Sequence, residues 1–417
     1  MSPTRRSAFA FVAIAASALL LPAAVVAIAA AAFAAVVVVD ALAVRGEVTV
    51  ERQVSSTLSR GRPTALVAAA RPGAAGSTWL RQPAVPDIRV DRAVGRDKLE
   101  ATLTATRRGR HVLPPLAVRR VGPLGLGRWD RQAVNDPTEL TVYPDLHAAR
   151  RLAAAVRRGN LADAGTRMRG PLGLGTEFES IREYLPDDDI RQVNWRATVR
   201  MQRPMSNQYR VEQDRDITCV VDTGRLMAAP LGSGRTRLDA ALDAVCALAM
   251  AADVVGDRIG VLAFDRDVRR HVRPRRRGTD AVVAAVYDLE PSDVESDYEL
   301  AFRTAAAGKR SLVVVLTDLL EDSAAKPLIA AMPVLARRHA VMVAGSTDPD
   351  LDALLTKPPA VAADVYAAAV AVDVLDGRRR VAGRLRTSGA DVLEAPPGQL
   401  PAACVSAYLR LKARARL

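Results

Sequence analysis

Apolar and polar positions change period twice along this chain. From Ala8 to Val39 no residue is charged, a run longer than the ~20 apolar residues that one spanning helix needs. Arg5 and Arg6 precede the run; Arg45, Arg52, Arg60 and Arg62 follow it. Basic residues on both flanks, with Pro22 inside the run, predict a hairpin of two short spans whose ends are both cytoplasmic. One long tilted span and a cleaved signal peptide are the competing readings. Residues 1–44 are therefore assigned to transmembrane segment(s) of the inner (plasma) membrane, with the soluble domains on the cytoplasmic side.

Residues 45–146 alternate with a period of two. Glu47-Val48-Thr49-Val50-Glu51, Ile88-Arg89-Val90-Asp91 and Leu99-Glu100-Ala101-Thr102-Leu103-Thr104 are separated by Gly-, Pro- and Arg-rich turns. Such spacing predicts a small antiparallel β-sandwich, a spacer or interaction module without catalytic residue types. The string Gly-Pro-Leu-Gly-Leu-Gly occurs twice, at Gly122–Gly127 and Gly170–Gly175. Neither copy has the sequence context of a phosphate-binding loop, so turns that use glycine at positive φ are the better reading.

From residue 147 the period becomes helical, and then alternates between apolar strands and helices. A helix with an Arg-rich face is expected over 147–168, followed by a charge-dense segment that completes a region of 147–214. Within 215–417, strands are expected at Ile217–Val221, Arg258–Phe264, Leu312–Leu316, Ala340–Ala344 and Val392–Leu393, with Val268–Val272 pairing with the second. Helices are expected near Thr236–Val255, Asp280–Leu289, Tyr298–Ala306, Ala324–Arg338, Val361–Val374 and Leu400–Arg414. Strictly apolar strands of the Leu312–Leu316 kind mark a parallel sheet covered on both faces, so the fold class is α/β with a doubly wound sheet.

Composition narrows the chemistry. The net charge is +13, but only five of the 59 basic residues are Lys, an Arg bias that codon usage also produces. Aromatics make up only 4% of the chain, so basicity without aromatic interleaving points to an anionic membrane or an acidic protein, and no nucleic-acid partner is expected. Arg269, Arg270, Arg273, Arg275, Arg276 and Arg277 form the densest basic patch. Cys219, Cys246 and Cys404 form no CxxC pair, and the four His are scattered, which argues against a zinc site.

Ligands of an open parallel sheet gather beyond the carboxyl ends of its strands. Asp222 ends the first strand of this region, Asp318 follows Leu312–Leu316, and Ser296 precedes the Tyr298 helix. This order resembles the von Willebrand factor A-type fold, in which a strand-end Asp-x-Ser-x-Ser loop, a Thr and a later Asp hold Mg²⁺. Upstream, Arg182-Glu183-Tyr184, then Asp188-Asp189-x-Arg191, then Trp195-Arg196-Ala197 resemble the signature of the bacterial domain-of-unknown-function family fifty-eight. The Arg108-Gly109 turn and the first Gly-Pro-Leu-Gly-Leu loop are also similar to that family's β region. The resemblance implies a membrane-anchored protein that works with a MoxR-type AAA+ ATPase and with protein clients.

The chain departs from that pattern at the metal loop. Asp222-Thr223-Gly224-Arg225-Leu226 lacks both serines. Asp222, Ser296 and Asp318 remain as ligands for a hydrated Mg²⁺, in a degenerate site without the two hydroxyls that would fix its geometry. The interaction residues expected from the signature are Arg182, Glu183, Tyr184, Asp188, Asp189, Arg191, Trp195 and Arg196, held by Arg–carboxylate forks. The functional expectation is a non-enzymatic adaptor. A metal-dependent hydrolase using Asp222, Asp318 and Asp187–Asp189, or an exported adhesion domain, are the alternatives.

Overall fold

The structure is a computed structural model that describes all residues except 1, 47, 72–75, 132–135, 160–176, 186–189, 211–214, 233, 319–321 and 414–417. Contacts divide the chain into two units, Met1–Tyr143 and Pro144–Leu417. Together they make a mixed α/β protein with several sheets and one long apolar helix near the N-terminus.

The first unit opens with a helix at Arg5–Ala16, whose Thr4 cap accepts the Ser7 N–H at 3.3 Å. A 3₁₀ turn, Ser17–Leu19, ends it, and Pro22 starts a second helix, Ala23–Leu42. The helices pack on each other, with Phe11 edge-on to Phe33 at 4.9 Å between ring centroids. Where the sequence predicts two spans of similar length, the pair is uneven. Of the described helices, only Ala23–Leu42 is long and apolar enough to cross a membrane. The first helix stops early because Ser17 Oγ bonds back to the Ile14 carbonyl at 2.6 Å and proline follows at 22.

The rest of this unit is three sheets. One has the order Val50–Val54, Pro63–Ala70, Lys98–Ala105, Ile88–Val90. A second runs Ser2–Pro3, Gly127–Arg131, Ala117–Val121, Ser77–Arg81, Val94–Arg96. The third joins Thr57–Ser59, Thr138–Tyr143 and Gly109–Leu113. Pairing is antiparallel except between Thr57–Ser59 and Thr138–Tyr143, which run parallel. Strands form where alternation buries every second residue: Leu99, Ala101, Leu103 and Ala105 turn inward, onto a core that includes Leu66, Leu80 and Leu140.

The last turn of the apolar helix is part of this unit. Asp40 is buried, and its carboxylate accepts the N–H groups of Leu124, Leu126 and Gly127, each at 2.8 Å. These residues belong to the first Gly-Pro-Leu-Gly-Leu-Gly copy. A Cβ at Gly122 would stand 2.3 Å from the Asp40 carboxyl carbon, so the close approach requires glycine there. Gly125 provides the expected positive φ, 72°. The loop does cradle an anion, but the anion is the chain's own carboxylate. The second copy, at 170–175, lies outside the described residues.

The second unit is built on a six-stranded sheet in the order Val268–Arg275, Arg258–Phe264, Asp216–Asp222, Leu312–Leu316, Ala340–Ser346, Ala390–Ala395. The first pair is antiparallel and the other four are parallel. Val220, Leu262, Val313 and Val343 face a core shared with the helices Tyr298–Ala306, Asp322–Ala336 and the end of Ala362–Thr387. Cys219, Val221 and Val314 alternate with them and are buried too, and the helices Arg237–Val255 and Leu400–Ala413 also contact the sheet. The Ala362–Thr387 helix runs well past the expected Val374. Arg378 is buried within it, and Val381 and Leu385 return to the core, so a polar run that reads as a helix end is a packed continuation. The helix expected over 147–168 is Leu146–Arg157 in the described residues.

Candidate functional site

Two groups of residues stand out in the second unit: the carboxyl ends of the central strands, and the hairpin that precedes them. The strand ends come first. Val221 of Asp216–Asp222 pairs with Leu316, so Asp222 and Thr317 emerge side by side. Asp222 is buried, and each of its oxygens accepts two hydrogen bonds. Oδ1 takes the Gly224 N–H at 2.8 Å and the Ser296 hydroxyl at 2.5 Å. Oδ2 takes the Tyr298 hydroxyl at 2.6 Å and the Thr317 hydroxyl at 2.7 Å. A carboxylate offers about four lone-pair sites, and all four are engaged here. Burial, and then the charge of Asp222, push the Tyr298 phenol well above its ordinary pKa, so it stays a donor.

Gly224 explains one of the two missing loop serines. A Cβ at 224 would lie 2.1 Å from Ser296 Oγ and 2.9 Å from the Val294 carbonyl oxygen. The Ser296 hydroxyl has taken the place of a side chain on the loop. Thr223 turns the opposite way, as its extended position predicts, and donates to the Phe264 carbonyl at 2.9 Å.

Asp318 belongs to a different set of partners. Its Oδ1 accepts from Arg237 at 2.9 Å and from Arg378. Arg237, at the start of its helix, also reaches the Ser346 carbonyl and Asp348, both at 3.0 Å. Burial raises the Asp318 pKa, against the pull of Arg378 and Arg237. Burial likewise lowers that of Arg237, against the pull of Asp318. Two guanidinium groups thus stand beside the carboxylate that the sequence offers as a metal ligand.

The three expected ligands therefore divide. Asp222 and Ser296 bond to each other, and Thr317, rather than Asp318, joins them. No group of three or more His, Cys, Asp or Glu able to hold a metal occurs among the described residues. With Asp222 saturated, the loop cradle filled by Ser296 and Asp318 paired with two cations, these side chains do not fit a Mg²⁺ centre. Tyr298, Thr317, Arg237 and Arg378 were not singled out by sequence reasoning. The only local signals were the position of Tyr298 two residues after Ser296 and the Thr-Asp pair at 317–318.

The second group is the charged segment. Glu177–Glu183 and Met205–Arg210 form an antiparallel hairpin, with Arg182 opposite Ser206 and Glu183 opposite Met205. Between them, Asn194 caps a short helix, Trp195–Met201, accepting the Ala197 N–H at 3.0 Å and donating to Asn207 at 2.8 Å. Gln202 closes the helix in the left-handed region at φ 54°. Trp195 is 68% exposed and Val199, one turn later on the same face, 79% exposed. Ile190 and Leu185 are exposed nearby in sequence, as is Arg196. Glu183 pairs with Arg203 at 3.4 Å on the surface. Asp188 and Asp189 lie outside the described residues, as does the side chain of Arg191.

The similarity to a known family begins within this hairpin and runs on through the strand-end residues. Residues 180–364 match the family model described as "Protein of unknown function DUF58". The DUF58 match takes in the hairpin from residue 180 onward, the Trp195 helix, Asp222, Ser296 and Asp318. The uncharacterized proteins Mb1516 of Mycobacterium bovis and Rv1480 of Mycobacterium tuberculosis are each 28% identical over 188 residues, which is 42% of this chain. The chain spans 56% of the length of these relatives. Among solved structures, a cohesin module from a Clostridium perfringens family 33 glycoside hydrolase matches at 9% identity. It covers 23% of this chain and 96% of the module at a TM-score of 0.16, a level that says nothing about the fold.

Proposed function

We propose that this protein is a membrane-anchored, non-enzymatic adaptor that docks protein partners through its DUF58 segment. The observation that carries the reading is the exposure of Trp195 and Val199 on one face of a capped helix, beside Arg196. Trp and Arg are the residue types most enriched among those that dominate binding energy. The partner proposed is a MoxR-type AAA+ ATPase, with further protein clients. That assignment rests on family resemblance alone.

The second unit is proposed to be a von Willebrand factor A-like, doubly wound domain. Five strands in parallel register, an antiparallel edge strand, and Asp222 at the end of a central strand support this. Its metal centre would be replaced by hydrogen bonds and guanidinium groups, so partner recognition would not pass through an ion. The apolar helix Ala23–Leu42 supports membrane anchoring, and the inner membrane with a cytoplasmic side is proposed from the basic residues on both flanks of the apolar run.

Affinity capture from detergent-solubilised membranes, with mass spectrometry of the bound fraction, tests the reading. The wild type should recover a MoxR-type ATPase, and a Trp195→Ala/Val199→Ser variant should lose it while keeping its thermal unfolding midpoint. Repeated capture without any AAA+ ATPase would sink the partner assignment. Equal capture by the variant would sink the docking face.

A further inference from the structure

We propose that the N-terminal helix pair is a one-sided membrane anchor: it enters and leaves through the same leaflet, and its turn lies within the hydrocarbon. The proposal rests on the membrane-anchored part of the reading above and specifies its geometry.

Both outer ends of the pair are tied to one loop. At the start of the first helix, the Thr4 hydroxyl donates to the Gly125 carbonyl at 2.7 Å and the Thr4 N–H to the Leu126 carbonyl at 3.0 Å. At the end of the second, Asp40 is held by Leu124, Leu126 and Gly127. Ser2–Pro3 continues the connection as a strand on Gly127–Arg128. The two ends therefore lie on the same side of any bilayer. The integration of Val37, Asp40, Ala41 and Val44 into the folded unit also argues against a signal peptide that is cut away.

The foot of the pair marks the headgroup level. Arg5, Arg6, Arg81, Arg96, Arg119 and Arg128 line an open groove there, together with Asp130, which pairs with Arg119 at 2.6 Å and Arg128 at 3.6 Å. Cations of this kind sit at the surface of an anionic leaflet. Above the foot no residue is charged until the chain returns to Asp40.

The reach from that level is too short for a full crossing. Counted with its 3₁₀ turn the first helix, Arg5–Leu19, rises about 24 Å, and the uncharged part of the second, Ala23–Val39, about 26 Å, against a hydrocarbon core of about 30 Å. The chemistry of the turn agrees. A hairpin that crossed would set its turn among the far headgroups, where polar or aromatic anchors are expected. Here the turn is Leu19-Leu20-Leu21-Pro22, with Leu19 and Leu20 88% and 89% exposed. Part of its backbone is satisfied within the turn, although the second helix starts without a side-chain cap. The Ser17 carbonyl accepts the N–H groups of both Leu20 and Leu21 at 3.0 Å, Ser17 Oγ is bonded to Ile14, and Pro22 has no N–H to satisfy.

The test uses full-length chains with one added cysteine, since Cys219, Cys246 and Cys404 are buried. Arg5→Cys, Ser56→Cys and Leu20→Cys, with Ala18→Cys as a second turn variant, are treated with a membrane-impermeant maleimide in right-side-out and inverted vesicles. Arg5→Cys and Ser56→Cys should label from the same face, and both turn variants only after detergent is added. A turn cysteine labelled from the face opposite Ser56→Cys would overturn the proposal in favour of two full spans. Labelling of Arg5→Cys and Ser56→Cys from opposite faces would overturn it in favour of one. Alkaline carbonate extraction separates this from the broader reading: release of the chain would overturn membrane anchoring itself, whereas retention with a crossing pattern would overturn only the one-sided geometry.

Discussion

The hydroxyl of Ser296 lies 2.1 Å from the point where a Cβ on Gly224 would stand, and it donates to Asp222 from there. The two positions, far apart in sequence, compete for one space. Gly224→Ser, which brings the loop closer to the Mg²⁺-holding pattern, should therefore destabilise the second unit by about 1–3 kcal/mol through overpacking. Adding Ser296→Ala should recover part of that loss. Thermal unfolding of the single and double variants measures both, and a neutral Gly224→Ser would show that the loop moves freely.

Tyr298→Phe removes one of the four bonds to Asp222 without changing the packing volume much. It should cost about 1.5–3 kcal/mol, because the acceptor left behind is charged and buried. Neither wild type nor variant should shift its unfolding midpoint on addition of Mg²⁺ or of a chelator. A Mg²⁺-dependent rise in the wild type would contradict the saturated state of Asp222.

Arg378→Met should cost about 3 kcal/mol or more, since Asp318 would keep only one of its two guanidinium partners in a buried site. In the Asp318→Asn background the same substitution should cost less. The double-mutant cycle is expected to give a coupling of more than about 1 kcal/mol. Additivity would mean that Arg378 acts through packing of its stem rather than through the pair.

His339 is buried and contacts the Ser311 hydroxyl through Nδ1 at 3.0 Å. Burial lowers its pKa, so the unfolded chain binds a proton more readily than the folded one. Its contribution is therefore fully present above the ordinary histidine value of about 6.5 and is lost as pH falls from there toward the folded value. His271, exposed on the edge strand, shifts in the same direction through partial desolvation and then the charge of Arg273. Urea midpoints should drop between about pH 7.5 and 5.5, and His339→Asn should flatten the drop without abolishing it.

Much of the fold was legible because its periods are unambiguous. Leu312–Leu316 reads as a central strand, and Tyr298–Ala306 has the bounds expected of it. The end of the Ala362–Thr387 helix was not legible, because a run of arginines gives no local sign that one of them will be buried against Asp318. The strand-end acids were legible as acids, but their partners were not. Hydroxyls from 296, 298 and 317 and guanidiniums from 237 and 378 meet only through the crossovers of the sheet. The glycine loop at 122–127 reads as a turn, and nothing local announces that its amides enclose a carboxylate at position 40.

That enclosure sets an order of events during synthesis. Asp40 is made 87 residues before Gly127, its last partner. At about 5–20 residues per second, its carboxylate waits roughly 5–20 s for the amides that will hold it. In the proposed anchor, that interval would leave the charge solvated at the water boundary, where it would keep the tail of the apolar helix from sliding inward. The proposed anchor would thus be positioned first by hydration of a single carboxylate, and only later fastened to the β unit by the glycine loop.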